Sequence, residues 1–444
     1  MKKTALFLVL LLSATLIFAQ PPAEQLITLK QCLQKAVEYS PRLKIQMMDQ
    51  QKLQMQHKVN VGMGMPNVNI SGSYDDYLNL PTQLIPGVIF GYPGQMIPVQ
   101  FGTSFNISGS LDFSQMVYSQ SYYSALRISR LMMDQGKLTG ESTQTGLVFE
   151  VAQSYYYAQI SRNQIRNLES NLEKLVKAEN IARSQYANGL IMKVDVDRIT
   201  VNKLNIQTQI DRLRVTYEQQ LNLQRYYMGL DPATPIVFTD SITPATVNLQ
   251  ATVDPANHID IRLLEKQKQL AMARIRLNQA SWYPSLNLIG SVNYTNQSND
   301  FYLAGNPGGW YNTTLVGLRL SVPVFNGLQR KYAVSQSKVD LDELKISEED
   351  TRKSLDLQAK DASGRLLNAI TDEERQRENI KVADRVFNIS QEQYRKGIIS
   401  LTDLLNAESG LSEAQTNHSL ALVQMKIAEL EFLRANGTLL EILK

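Results

Sequence analysis

Few side chains in this sequence are placed to do chemistry. The only histidines, His57, His258 and His418, are scattered over 444 residues, and the single cysteine is Cys32. A metal site needs such ligands gathered at short, regular spacings; nothing of that kind is present. Nor is there a Ser/His/Asp spacing or a glycine loop that would cradle phosphate. Catalysis, a cofactor and a resident metal are therefore not expected, and His418 reads as a packed helix residue. What does recur is a carboxylate just past a glycine: Asp195 follows Gly189, and Asp403 follows Gly397. At the start of a helix such a carboxylate satisfies free backbone N–H groups and complements the helix dipole.

These positions belong to a duplication. QYANGLIMKVDVDRI (185–199) and QYRKGIISLTDLLNA (393–407) align without a gap at a constant offset of 208 residues. Each copy reads as a helix, a tight turn at glycine and a returning helix, with glycine supplying the left-handed backbone that ends the first. The two turns are expected to be equivalent tips of two antiparallel helical hairpins.

The surroundings of the hairpins repeat as well. Residues 1–19 have the layout of a cleavable export signal: Lys2 and Lys3, an apolar run, and a small residue before Gln20. Residues 20–229 form a first structural repeat of a helix, two strands and a long helical hairpin. Residues 230–256, with Pro232, Pro235, Pro244 and Pro255, are a linker, and 257–444 a second repeat. Removing the two signal lysines lowers the formal charge from +3 to +1, a balance that gives nucleic-acid binding no support.

Along the chain, Leu29 to Val59 fits a helix interrupted at Ser40-Pro41. From Pro66 the period becomes two, with Val68, Ile70, Gly72 and Tyr74 on one face and Asn67, Asn69, Ser71 and Ser73 on the other. A Pro/Gly-rich loop through Pro81 to Pro98 leads to a second alternating strand over Phe101–Phe113. Helix is then expected from about Ser114 to Ala187, roughly 110 Å at 1.5 Å per residue, and from Val194 to Met228. The second repeat has helix over His258–Ser281, strands from Leu286 and from Val316, then helices over Leu328–Lys396 and Leu401–Asn436. In the last helix, Leu404, Ala407, Leu411, Ala414, His418, Ala421, Met425, Ala428, Phe432 and Ala435 alternate steps of three and four, a coiled-coil seam. A second seam passes through Leu420, Val423, Ile427 and Leu430. Two apolar stripes on one helix mean a neighbour on each side and two wet faces, as in a wall of helices around a lumen.

The fold class is thus mainly α with a four-stranded β contribution: duplicated long-helix hairpins forming an α-barrel, and strands forming part of an oligomeric transmembrane β-barrel. Closed membrane barrels begin at about eight strands, and an open sheet edge in lipid leaves backbone groups unsatisfied. Four strands therefore need other chains to complete the sheet.

The order of several motifs carries a resemblance. LKQCLQKAVEYSPRLK, WYPSLNLIGSV, LRLSVPVFNGLQRKYAV, YRKGIISLTDLLNAESGLSEAQ and LRANGTLL, with the duplication, resemble the TolC family of outer-membrane efflux and secretion channels across nearly the whole mature chain. The resemblance implies a homotrimer with a twelve-stranded barrel in outer-membrane lipid and a long extension across the periplasm. It also implies docking to an inner-membrane transporter through a periplasmic adaptor protein. Carried over by position, the adaptor-docking tips are Asn188, Gly189, Leu190, Lys396, Gly397 and Ile398. The periplasmic aperture falls to Asp195, Asp403, Asn406, Tyr186 and Tyr394. The family's aperture arginine is replaced by Ile399, and Lys193 is its candidate substitute. The function implied is a passive outer-membrane channel of a tripartite efflux pump. The exit duct of a type I protein secretion system is the alternative within that class. A secreted coiled-coil scaffold would share the signal and heptads but has no reason to place two-faced strands between helices in both copies.

Overall fold

The computed structural model describes residues 25–240, 242 and 255–443; the export signal and residues 241 and 243–254 of the linker lie outside them. The described elements are β1 (Gln25–Ile27), α1 (Leu29–Tyr39), α2 (Pro41–Gly62), β2 (Asn67–Asp76), β3 (Thr82–Pro86), β4 (Met96–Gln100), β5 (Phe105–Ser119), α3 (Gln120–Ala187), α4 (Lys193–Met228), β6 (Ile236–Phe238), α5 (Ile259–Ala280), β7 (Ser285–Ser298), β8 (Trp310–Ser321), α6 (Gln329–Arg395) and α7 (Leu401–Ala435). Short 3₁₀ turns lie at Gly87–Phe90, Pro255–Asn257 and Leu439–Leu443. The chain forms two compact units that cut across the sequence repeats. One comprises residues 1–49, 137–264 and 347–444, the other residues 50–136 and 265–346.

The sheet-bearing unit holds a four-stranded antiparallel sheet in the order β2-β5-β7-β8, so the β-hairpins of the two repeats pair through β5 and β7. Register decides its two faces. Val68 lies opposite Phe113, which lies opposite Gly290, which lies opposite Val316. In the next row Asn69, Asp112, Ser291 and Leu315 stand side by side. Because side chains alternate along a strand, the first row belongs to an apolar face and the second to a polar one. On the polar face Ser71 bonds Ser110 at 2.7 Å, and Ser110 and Ser291 each donate to Asp112 at 2.8 Å. Strands β2 and β8 are its edges, and the apolar side chains Ile70, Val316 and Leu318 are largely exposed.

Three details depart from the sequence expectation. The Pro/Gly-rich segment contains a second small hairpin, β3 paired with β4, where only a loop was expected. Strand β5 runs on to Ser119, past a register shift between Met116 and Tyr118, so α3 starts at Gln120 rather than near Ser114. The linker supplies β6, which pairs in parallel with β1.

In the helical unit, Thr28 and Gln31 form a capping box at the start of α1, and Pro41 opens α2, where a missing N–H costs nothing. Cys32, Leu33, Ala36 and Tyr155 are fully buried with the β1–β6 pair, and the Tyr155 ring lies 4.4 Å from that of Phe238. The α7 seam is buried as its periodicity requires at Leu404, Leu411, Ala414, Ala421, Met425, Ala428 and Phe432. On the second stripe Val423 and Leu430 are buried, whereas Leu420 is half exposed. No helix among the described residues is long and apolar enough to cross a membrane.

Candidate functional site

The two turns fold alike because their sequences impose the same hydrogen bonds. Gly189 and Gly397 take positive φ of 73° and 71°. The Gly189 N–H donates to the Tyr186 carbonyl and Leu190 N–H to that of Gln185; Gly397 and Ile398 donate to Tyr394 and Gln393 in the same way, all at 2.9 Å. These bonds satisfy the carbonyls left over where α3 and α6 end. Asn188, Gly189, Leu190, Lys396, Gly397 and Ile398 are all exposed, so each turn displays one large apolar side chain, Leu190 or Ile398.

Beyond the turns the copies diverge. Ser400 caps α7: its Oγ accepts from the Asp403 N–H at 3.2 Å, and Asp403 Oδ2 accepts from the Ser400 N–H at 3.2 Å. Asp195 accepts from the Met192 N–H at 3.3 Å, but its own N–H bonds the Met192 main-chain carbonyl at 3.0 Å, since methionine has no side-chain oxygen to cap α4. Both carboxylates thus perform the capping read from the sequence. Asp403, Asn406 and Lys193 are exposed; Asp195 is half-buried, with Arg198 at 3.9 Å. The two tyrosines also differ. Tyr186 is exposed, whereas Tyr394 is buried and donates its hydroxyl to Gln185 at 3.2 Å. Burial, and next the charge of Asp195, push the Tyr394 phenol upward in pKa.

Behind the turns the two hairpins are packed together. Leu168, Leu175, Val196, Ile199, Leu404 and Leu411 belong to one apolar cluster drawn from both copies, and Ile399 packs against it where the resemblance implied an arginine. Burying a leucine or isoleucine contributes about 1.5–3 kcal/mol, against about 1 kcal/mol for a net hydrogen bond. Packing therefore dominates this contact, and a short polar ladder sets its register: Arg198 to Thr402 at 3.2 Å, Asn202 to Glu408 at 2.7 Å, and Asn171 to Gln415 at 2.7 Å.

The sequence reading missed this ladder, although it left a trace: Glu408 lies next to Ala407, four residues after Leu404 and three before Leu411, on the face of the apolar stripe. Its side chain is buried and Oε1 has no hydrogen-bond partner. Burial raises its pKa, opposed by the Asn202 hydrogen bond. An acid whose folded pKa lies above its unfolded value holds its proton more firmly when folded. Its contribution is complete below the unfolded value and is lost as pH rises through the folded one. Glu408→Gln is accordingly expected to melt above the parent at pH 7.5, with the gap closing as pH is lowered. Thermal melts of the two proteins at matched pH check this; a gap that is absent at pH 7.5 or constant with pH contradicts it. Glu179, whose pKa is lowered chiefly by hydrogen bonds from Lys203 and Arg183, loses its contribution on acidification in both proteins and drops out of the comparison.

No group of three or more His, Cys, Asp or Glu side chains is placed to hold a metal ion among the described residues. His57 Nδ1 lies 2.6 Å from Ser129 Oγ, His258 Nδ1 lies 3.5 Å from Asp260, and His418 Nε2 lies 3.3 Å from Glu373, each within its own part of the fold.

Comparison with known proteins gives this arrangement its context. The profile of the family described as outer membrane efflux protein matches residues 255–438, most of the second repeat. The outer membrane protein TolC of Vibrio cholerae serotype O1 is 24% identical over 357 residues, 76% of this chain and 77% of that one. The toluene efflux pump outer membrane protein TtgC of Pseudomonas putida is 23% identical over 282 residues, 62% of this chain but only 57% of its own length. The solved structure of the outer membrane protein VceC from Vibrio cholerae superposes with a TM-score of 0.71 at 15% identity, covering 92% of this chain and 96% of that one. The shared fold extends over both repeats, the second repeat carries the profile of the outer membrane efflux protein family, and the chain is similar in sequence to TolC.

Proposed function

We propose that this protein is the outer-membrane channel of a tripartite efflux pump, passively conducting substrates delivered by an inner-membrane transporter and a periplasmic adaptor. The observation that carries this reading is the four-stranded sheet, polar on one face, apolar on the other, and unpaired at β2 and β8. Such a sheet is stable in lipid only when other copies complete a closed barrel. Three copies give twelve strands, and rotational symmetry closes the ring. The protein resides in the outer membrane, and its helical hairpins extend into the periplasm. The exit duct of a type I secretion system would use the same scaffold; the efflux-pump names of relatives such as TtgC favour the pump.

The two turns are the adaptor-docking surface in this reading, supported by their identical backbone geometry and by the exposed apolar side chains Leu190 and Ile398. Neither side chain supports the fold, so charge there tests docking without a stability penalty. Leu190→Asp combined with Ile398→Asp is expected to reduce export in cells to the level of a strain lacking the channel, with the amount of protein in the outer membrane unchanged. Export at the parent level would remove the turns from the docking surface.

A further inference from the structure

The segment joining β2 to β5 is chemically unlike the rest of the molecule. Between Asp76 and Asp112 there is no Asp, Glu, Lys, Arg or His. Within it β3 and β4 form a hairpin at the end of β2 and β5 where Asp76 pairs with Phe105, the end away from the Asn67–Ser114 pair that adjoins α2 and α3. This hairpin is built rather than loose. Gly87 donates its N–H to the Gln95 carbonyl at 2.7 Å and accepts from the Tyr92 N–H at 2.8 Å, and a Cβ on Gly87 would stand 2.6 Å from the Tyr92 carbonyl oxygen. The turn so fixed holds Leu84, Val88, Ile89, Phe90, Tyr92 and Met96 each more than half exposed.

Apolar side chains held out on an ordered tip call for an apolar occupant. A partner recognised by charge finds no counter-charge here. Hydrocarbon suits the side chains but not the backbone: a two-stranded ribbon leaves a row of unpaired groups on each outer edge, and lipid does not tolerate them. Strand addition from another protein is hindered too, because Pro86 and Pro98 each remove a backbone donor from the ribbon. A second copy of this chain remains, and the fold places it nearby. The hairpin grows directly from β2, an edge strand of the sheet, and that edge is where a neighbouring copy completes the barrel.

Resting on the channel reading above, we propose that the β3–β4 hairpins of the three copies pack against one another across the outer mouth of the barrel. They form there an uncharged apolar constriction. The dimensions permit it. Twelve strands about 4.8 Å apart and tilted by about 40° enclose a radius of about 12 Å, and a five-residue strand such as β3 is about 17 Å long. A ring of apolar side chains of this kind closes a pore to water and ions by dewetting.

The test uses the full-length protein with one added thiol, Ile89→Cys. The native Cys32 does not interfere: it is fully buried, and burial pushes its thiol up to about 12. In outer membranes, a short bismaleimide is expected to convert most of the Ile89→Cys protein to covalent dimers, with native mass still reporting three copies. Two results overturn the proposal while leaving the channel reading intact. One is a three-copy assembly without covalent dimers in which a bulky polyethylene-glycol maleimide labels the introduced thiol on intact cells. The other is a three-copy assembly in which that thiol is labelled only after lipid is stripped by detergent. A monomeric protein overturns both readings together.

Discussion

Arginine in place of Val316 is expected to deplete the protein from the outer membrane, whereas arginine in place of the adjacent Leu315 is expected to leave it there. Both residues lie near the middle of β8, an edge strand, and both are more than half exposed. They differ only in the face they occupy. Val316 stands in the row of Gly290, Phe113 and Val68, and Leu315 in the row of Ser291, Asp112 and Asn69. If the first row meets lipid, a charge at mid-depth costs about 2–4 kcal/mol, incurred once per copy and so three times in a trimer. A guanidinium on the wet face is hydrated instead, with Asp112 two strands away in the same row as an opposite charge. Quantifying the folded oligomer in the outer-membrane fraction for the two variants separates the cases. Equal recovery, or loss of the Leu315 variant alone, would mean that the sheet faces are assigned wrongly.

The second large effect concerns ion selectivity. In the three-copy reading, Asp195 and Asp403 contribute about six carboxylates to the narrow periplasmic end, and such a ring attracts cations. Both carboxylates also cap helices, so alanine would confound two roles; loss of a cap costs about 1 kcal/mol. Asparagine separates them, because its amide oxygen still accepts the Met192 and Ser400 N–H bonds while the charge is gone. In planar bilayers the parent is expected to favour cations and to be blocked by divalent ions from the periplasmic side. Asp195→Asn with Asp403→Asn is expected to lose most of that preference with little change in melting temperature. If selectivity and block match the parent, the two residues are caps and the constriction lies elsewhere. With Ile399 and the buried Tyr394 packed behind the turns, closure is expected to depend more on apolar contact than on ion pairs.

How much of this was legible follows from the range of each signal. The glycine turns and the alternating strands are local, and their repetition at one offset made the helix ends beside the turns readable to within a residue or two, at Ala187, Lys193, Arg395 and Leu401, whereas the far end of α3 begins six residues later than expected. The β1–β6 pair was not readable, since three residues at Gln25–Ile27 meet three at Ile236–Phe238 with no local pattern to announce it. The β3–β4 hairpin was hidden by Pro and Gly, which ordinarily signal irregular loop; here Pro86 and Pro98 sit on a ribbon whose outer edges need no partner. At the site, duplication overstated the symmetry. Tyr186 and Tyr394 align, yet only Tyr394 is buried, and the Asp195 N–H bonds the Met192 main-chain carbonyl where the Asp403 N–H bonds the Ser400 hydroxyl. Equivalent sequence positions give equivalent backbone turns, while the side-chain environments depend on which neighbouring helix each copy meets.

The central claim, that this chain assembles with its own copies into an outer-membrane barrel, is tested most directly by fractionating cells and measuring the native mass of the detergent-extracted protein. The expected result is recovery from the outer membrane as three copies that open ion-conducting channels in a planar bilayer. A monomer recovered from the soluble periplasmic fraction would contradict it.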